Sequence, residues 1–134
     1  MSRNNLDQLC ARYGYQIASG VHDAIGTAAE NHITKSLGVV QEDGVYAFAL
    51  YQVSRKAEKK GAEKLKALAE SLLAEVALRP FDCKPAPDLL EGLRGNPQKG
   101  LRGLAEDLDS LLLAKRLLEQ TLIYARYHTK AIGD

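Results

Sequence analysis

The stretch LLLAKRLLEQTLIYARYHTKAI, from Leu111 to Ile132, decides the fold of this chain because one side of it is apolar and the other is basic. Successive helical residues are about 100° apart, so its apolar residues fill roughly half of a helix circumference, which predicts a core-facing side. These residues are Leu111, Ala114, Leu117, Leu118, Leu122, Tyr124, Ala125 and Ile132. The opposite side carries Lys115, Arg116, Arg126 and Lys130, here called the basic arc, with Tyr127 and the acidic Glu119.

Much of the remaining chain shows the three-and-four spacing of apolar residues that indicates amphipathic helices. Asn5 and Gln8 resemble a capping box, which predicts that the first helix starts there. Asp43-Gly44 predicts a turn between two helices, because glycine supplies a positive φ. The predicted helices cover 6–28, 32–42, 45–53, about five turns within 55–79, and about thirty residues from 101 onward.

Two segments fit the helical pattern less simply. VYAFALYQV, from Val45 to Val53, is apolar almost all round, which favours a helix buried on most sides. A strand is the competing interpretation because Val, Tyr and Phe favour sheets, but no partner strand is visible elsewhere. Residues 79–103 contain several prolines and the tetrapeptide GLRG twice. They predict an irregular connection with a brief helix at Asp88–Leu93 and a flexible glycine-rich loop.

The length and composition of the chain predict its class. A chain of 134 residues, 46% hydrophobic and 26% charged, is typical of one ordinary globular domain spanning residues 1–134. Several helices without credible strands predict an all-α fold, a compact bundle of four to six helices with a long C-terminal helix.

The cysteines and the N-terminus indicate where the protein works. Cys10 and Cys83 have no metal-ligand or CxxC spacing, so we interpret them as buried small hydrophobic residues in a reducing compartment. The N-terminus has no apolar signal core, and no segment approaches the roughly 20 apolar residues that cross a membrane. We therefore expect a cytoplasmic protein that does not contact a membrane.

The sequence offers little for catalysis or for a cofactor. His22, His32 and His128 lie far apart and show no HExxH spacing, so we predict no metal site. The segment GNPQKG lacks the Ser or Thr that completes a phosphate-binding loop, and no strand precedes it. These observations predict a protein that is not an enzyme and has no cofactor.

A helical ribonuclease is a minor alternative, because some such enzymes place an arginine and a histidine four to six residues apart on one helix. Here Arg126 and His128 are separated by one residue. Their side chains would point about 200° apart on a helix, so we do not expect them to converge on a phosphodiester.

A second basic group consists of Arg55, Lys56, Lys59 and Lys60, here called the Arg55–Lys60 cluster. It precedes the acidic residues of its helix instead of alternating with them, and together with the basic arc it favours phosphate contact. The alternative is two solvated faces that only keep the protein soluble. The net charge is +1, so no strong overall field attracts nucleic acid. We expect binding by the chain alone to be weak and to depend on neighbouring subunits.

Two blocks carry a family resemblance: ENHITKSLGVVQEDGVYAFALYQVS, Glu30 to Ser54, and LAEDLDSLLLAKRLLEQTLIYARYHTKAI, Leu104 to Ile132. A helix leading through a glycine turn into an aromatic-rich helix, with a long closing helix, resembles the small all-helical subunit of type III CRISPR effector complexes of the RAMP-module (Cmr) branch. The match is one of pattern and involves no catalytic motif, and residues 79–103 lie outside it.

The resemblance implies a non-catalytic subunit that stacks in copies along an antiviral ribonucleoprotein and presents basic side chains to guide RNA and target RNA. Its partners would be other effector subunits, copies of itself and both RNAs. The basic arc and the Arg55–Lys60 cluster are the expected contact residues. The main alternative is a protein–protein adaptor without RNA contact, docking through Tyr15, Tyr127 and the glycine-rich loop.

Overall fold

The computed structural model describes residues 3–132, with the side chains of 5–132. Its helices confirm the all-α prediction, because five have ten or more residues and a sixth has six. They are α1 (Arg3–Ile25), α2 (Ala29–Asp43), α3 (Val45–Ser54), α4 (Lys59–Glu75), α5 (Leu89–Arg94) and α6 (Leu108–Ile132). Two short strands, β1 (Gly95–Asn96) and β2 (Leu101–Arg102), pair antiparallel. All six helices contribute side chains to one hydrophobic core.

Helix α1 lies between α6 and α4, and its neighbours run in opposite directions along it. The Cys10 thiol approaches the carbonyl of Leu117 near the start of α1, and the ring of Tyr15 meets that of His128 further along. Along these contacts the residue numbers increase in the same direction in both helices, so α1 and α6 are parallel.

Helices α1 and α4 are antiparallel, because Arg12 pairs with Glu75 at one end while Gly61 lies against Ile25 at the other. The C-terminal ends of α1 and α6 and the start of α4 therefore share one end of the bundle. Helix α2 turns back along α6 from this same end.

The boundaries of the first helices differ from the predicted ones. Helix α1 already includes Asn5, so the predicted capping box at Asn5 and Gln8 does not start it. It ends at Ile25, three residues before the predicted end. A 3₁₀ turn that begins at Gly26, where φ is +65°, leads into α2 three residues before the predicted start. The predicted turn at Asp43-Gly44 is confirmed, with Gly44 at φ +93°.

Helix α3 is a helix, as predicted, but it is not buried on most sides. It buries Val45, Phe48, Ala49 and Gln52, while Tyr46, Leu50 and Val53 are exposed. The exposed residues are spaced four and three apart, so they form one apolar stripe on the outer face.

The predicted helix from Arg55 starts later, because α3 ends at Ser54 and α4 begins at Lys59. Arg55 is the C-cap of α3 in an extended conformation, so Arg55 and Lys56 lie in the connection. The apolar residues that recur at three-and-four spacing along α4 are buried near its centre, including Leu65, Ala69 and Leu72.

Residues 79–88 are irregular, as predicted, whereas most of residues 89–103 lie in helix α5, a 3₁₀ turn and two short strands. Asp88 caps the brief helix α5 by accepting from the backbone of Glu91. The glycine-rich loop contains the two paired strands that the sequence did not indicate. Both GLRG copies meet there, and a Cβ on Gly103 would collide with the backbone of Arg94. Glycine therefore permits this pairing, because it allows the two backbones to approach closely.

The long C-terminal helix starts at Leu108 and not near Leu101. A 3₁₀ turn at Leu104–Glu106 precedes it, and the carboxylate of Asp107 accepts from the backbone of Asp109 and the hydroxyl of Ser110. An N-terminal cap of this kind fixes where a helix begins.

The two cysteines occupy different environments. Cys10 is buried, and burial is the main cause that raises the pKa of its thiol. Cys83 is exposed, which corrects the prediction that both are buried, because it lies in the proline-rich connection where no helix covers it.

Candidate nucleic-acid interface

Helix α6 has the two sides that its sequence predicts. The predicted core residues Ala114, Leu117, Leu118, Leu122 and Ala125 are buried. Ile132 is 38% exposed, which corrects its assignment to the core, because it lies on the last turn of the helix where no neighbour covers it. The core side also buries Thr121 and Thr129, two polar residues that the pattern of apolar types left out.

The close contact between α1 and α6 depends on Gly14. A Cβ placed on Gly14 would lie 2.6 Å from Cβ of Tyr124 and 2.9 Å from the carbonyl oxygen of Thr121. The hydroxyl of Tyr124 donates to the carboxylate of Asp7 at 2.7 Å across the same contact. Helix α1 thus covers one flank of α6 and leaves the basic arc on the outside.

Three cations of the basic arc are exposed: Arg116, Arg126 and Lys130. Within residues 5–132, none of the three has an ion pair or a side-chain hydrogen bond. The fourth, Lys115, lies 3.9 Å from Glu119 one turn further along and is about one-third exposed. Such a pair at the surface contributes little to stability, so the arc as a whole offers positive charge to solvent.

Arg126 also borders α2. It lines an open polar hollow of about 310 Å³ with Thr27, Glu30, Asn31 and Thr34. The hollow offers hydroxyl and amide groups beside a guanidinium, a combination that binds phosphate or sugar oxygens. Glu30 opposes an anion there, so the hollow alone is a weak site.

The Arg55–Lys60 cluster divides into residues that hold the fold and residues that face solvent. The guanidinium of Arg55 lies over the ring of Tyr51, 5.0 Å from its centroid, and 3.7 Å from the carboxylate of Glu58. Lys59 and Glu63 approach to 4.0 Å while both stay largely exposed. Lys56 and Lys60 are exposed and, among the described residues, unpaired. Arg55 is therefore engaged within the chain, unlike Arg116 and Arg126.

A buried polar network that the sequence did not indicate lies beneath Arg55. The ring of His32 is fully buried, with Nδ1 2.9 Å from the carboxylate of Glu58 and Nε2 2.9 Å from the amide oxygen of Gln52. Gln52 in turn donates to the hydroxyl of Ser36 at 2.8 Å. Carboxylate and amide oxygens accept hydrogen bonds, so both ring nitrogens of His32 face acceptors. The network joins α2, α3 and the start of α4.

One sequence signal could have indicated this network. Gln52 is the one strongly polar residue within VYAFALYQV, and a polar side chain in a buried helix needs a partner. His32 and Ser36 are one turn apart on α2 and so share a face.

The structure brings the C-terminal part of the basic arc and the Arg55–Lys60 cluster to the same end of the bundle but does not merge them. Arg126 borders the start of α2, while Lys59 and Lys60 open α4, which packs on the end of α1. Arg116 lies ten residues before Arg126, about 15 Å along the helix axis towards the other end. The basic arc therefore forms a line along α6.

Arg126 and His128 point to different neighbours, as predicted. Arg126 faces the hollow beside α2, whereas the ring of His128 makes an edge contact with Tyr15 of α1 at 5.4 Å. The two side chains do not converge on a common point.

The comparisons with known proteins give no relative. No family model matches the chain, and no curated protein and no solved structure matches it.

Two further properties concern only residues 3–132. None of the helices there is both long enough and apolar enough to cross a membrane. No group of three His, Cys, Asp or Glu side chains in that range could hold a metal ion.

Proposed function

We propose that this chain is a non-catalytic, RNA-contacting subunit of a type III CRISPR effector complex, as its two sequence blocks imply. The observation that carries the RNA contact is that Arg116, Arg126 and Lys130 are exposed and have no partner among the described side chains, on a helix whose other side is core. Guanidinium and ammonium groups in this state can bind phosphates without first giving up an ion pair or hydrogen bond within the protein. Partner subunits supply the remaining contacts, because the net charge of the chain is +1.

The exposed apolar stripe of α3 supports the proposal that the chain is part of a larger assembly. Tyr46, Leu50 and Val53 are 37%, 47% and 51% exposed on one face. Contiguous apolar residues at a surface are typical of protein contacts. This observation also favours the second candidate function, a protein–protein adaptor without RNA contact.

The test is a charge reversal on the basic arc. The double variant Arg116→Glu/Arg126→Glu keeps the fold, because both residues are exposed, and weakens RNA capture by the chain and by its native assembly. The matched control is Arg79→Glu/Lys84→Glu, which changes the net charge equally at two exposed residues of the proline-rich connection. RNA affinity is measured across a salt series, where each lost contact to single-stranded RNA lowers the log–log slope by about 0.7.

An equal effect of both double variants would show that only net charge matters and would remove the basic arc from the proposal. The adaptor alternative predicts that neither variant changes RNA capture. It also predicts that the tagged chain isolates with proteins and without guide RNA after nuclease treatment. Sequencing of the small RNAs that copurify with the native protein separates the two candidates.

The ribonuclease alternative has no observation in its favour. We expect no cleavage when the purified chain is incubated with labelled RNA. Cleavage that His128→Ala abolishes would contradict the non-catalytic role.

A further inference from the structure

The aromatic rings of Tyr127 and Tyr15 stand out at the surface near the end of α6. Tyr127 is 67% exposed and Tyr15 is 56% exposed, more than Tyr46 on α3 at 37%. Large rings lose favourable burial when they face water, so an exposed ring on each of these two packed helices calls for an explanation.

The geometry of α6 places Tyr127 among the cations of the basic arc. Arg116 precedes Tyr127 by eleven residues, about three full turns, so the two side chains lie on the same side of the helix. Lys130 follows one turn later on the same side. A chain lying along this line meets a cation, then an exposed ring, then a second cation.

The ring of Tyr15 extends this surface across the contact between α1 and α6. His128 follows Tyr127 and is rotated by about 100° towards α1, where its ring meets that of Tyr15 edge-on at 86°. The contact is possible because Gly14 lets the two helices approach closely. The rings are therefore held by packed helices and not by a mobile loop.

We infer that Tyr127, with the Tyr15–His128 pair beside it, is a stacking surface for the unpaired bases of single-stranded RNA. Lys130, one turn away, holds a neighbouring phosphate, and Arg116, about 16 Å along α6, holds a phosphate further along the strand. The inference deepens the proposed function and rests on its RNA contact. Exposed rings between cations are the combination by which proteins bind single strands without reading sequence.

Two other occupants fit the surface less well. A duplex keeps its bases inside and presents sugar and phosphate, so an exposed ring gains nothing from it. The centre of a protein interface is depleted of charged residues, whereas Tyr127 stands between Arg116 and Lys130.

The experiment compares single-stranded and double-stranded RNA with the purified chain at low salt. The probes are oligoadenylate of about twelve nucleotides and the same strand paired with oligouridylate. The chain has six tyrosines and no tryptophan, so quenching of tyrosine emission reports stacking directly. We expect Tyr127→Ala to weaken single-strand binding roughly tenfold and to leave duplex binding unchanged.

Tyr127→Phe and Tyr46→Ala serve as controls. The substituted tyrosine side chains are all exposed, so the melting temperatures of the variants should stay close to that of the wild type. Tyr127→Phe keeps a ring and should keep the affinity while losing part of the quenching signal. Tyr46→Ala removes an exposed ring on α3 and should change neither affinity. Tyr15→Ala should lower single-strand affinity by less than Tyr127→Ala.

The outcomes separate the inference from the proposed function. If Tyr127→Ala binds the single strand as tightly as the wild type while Arg116→Glu/Arg126→Glu weakens it, the stacking surface is wrong and the RNA contact stands. If Tyr127→Ala weakens both RNA forms equally, base stacking is also wrong. If the wild type binds neither form at low salt, the stacking surface is wrong, and Arg116→Glu/Arg126→Glu in the native assembly then tests the RNA contact by itself.

Discussion

Helix α6 and the junction between α3 and α4 carry the same type of residue, yet they use it differently. On α6, Arg116 and Arg126 are exposed and have no partner within residues 5–132. At the junction, Arg55 lies over Tyr51 and beside Glu58, which also binds the buried His32. A run of cations in a sequence therefore indicates positive charge, but it does not show whether those cations are free to bind a ligand or stabilise the fold.

The spacing of acidic residues explains much of this difference. Lys59 has Glu63 four residues later on α4, a spacing at which helical side chains meet, and Arg55 in the connection lies 3.7 Å from Glu58. On α6, no acidic residue lies three or four positions from Arg126, and Glu119, which follows Arg116 by three residues and Lys115 by four, approaches Lys115 at 3.9 Å. The four predictions that follow test how the junction and α6 stabilise the fold, and whether the exposed cations of α6 bind RNA.

The largest effect is expected at the buried network of the junction. His32→Ala removes two hydrogen bonds and leaves Glu58 and Gln52 without their partner, so we expect a loss of about 3 kcal/mol in the free energy of unfolding. His22→Ala, at a partly exposed histidine of α1, is the matched control and should change little. Urea unfolding followed by circular dichroism measures both. Equal stabilities would show that the network does not hold the junction.

A smaller effect is expected where α1 meets α6. Gly14→Ala puts a methyl group 2.6 Å from Cβ of Tyr124, so the helices must separate, at a cost of about 2 kcal/mol. Gly38→Ala is the control, because Gly38 lies within α2 and its added methyl group meets nothing within 4 Å. That substitution should stabilise the protein by about 0.5 kcal/mol through better helix propensity. A Gly14→Ala variant as stable as the wild type would contradict the close approach at Gly14.

A direct comparison of two arginines sharpens the contrast between the regions. Arg55→Ala removes the contact with Tyr51 and the interaction with Glu58, so we expect a loss of about 1 kcal/mol in the free energy of unfolding. Arg116→Ala removes an exposed side chain that has no partner within residues 5–132, so it should leave stability unchanged while weakening RNA binding. Thermal unfolding and RNA titration of both variants test the pair. The reverse pattern would mean that the roles of the two arginines are exchanged.

Periodicity predicted the parts of the fold that depend on local spacing. The core side of α6 is correct at Leu117, Leu118 and Ala125, because each lies within a turn of another apolar residue. The prediction failed at Ile132, where a helix end has no neighbour, and it omitted Thr121, which is buried despite its hydroxyl. The spacing of apolar residues predicts which face of a helix is buried, but the neighbouring helices determine where the buried face ends.

The remaining errors concern long-range or very short features. The partners of His32 lie 20 and 26 residues away, so no local pattern links them. The pairing of Gly95 with Arg102 involves two residues per strand, too few to show a strand period. The exposed state of Arg116 and Arg126 followed from the helix wheel, whereas the contact of Tyr15 with His128 depends on how α1 packs.

The smallest effect is expected at the cap that begins α6. The hydrogen bond from the Ser110 hydroxyl is the main cause that lowers the pKa of Asp107. A lowered pKa in the folded state means that ionised Asp107 stabilises the fold above its ordinary pKa of 3.8, and that this contribution is lost as the pH falls through the lowered value. Asp107→Asn keeps the acceptor oxygen and removes the titration. The variant should therefore melt slightly below the wild type at neutral pH, and the gap should close in acid. A difference in melting temperature that does not change with pH would show that the charge of Asp107 does not stabilise the start of α6.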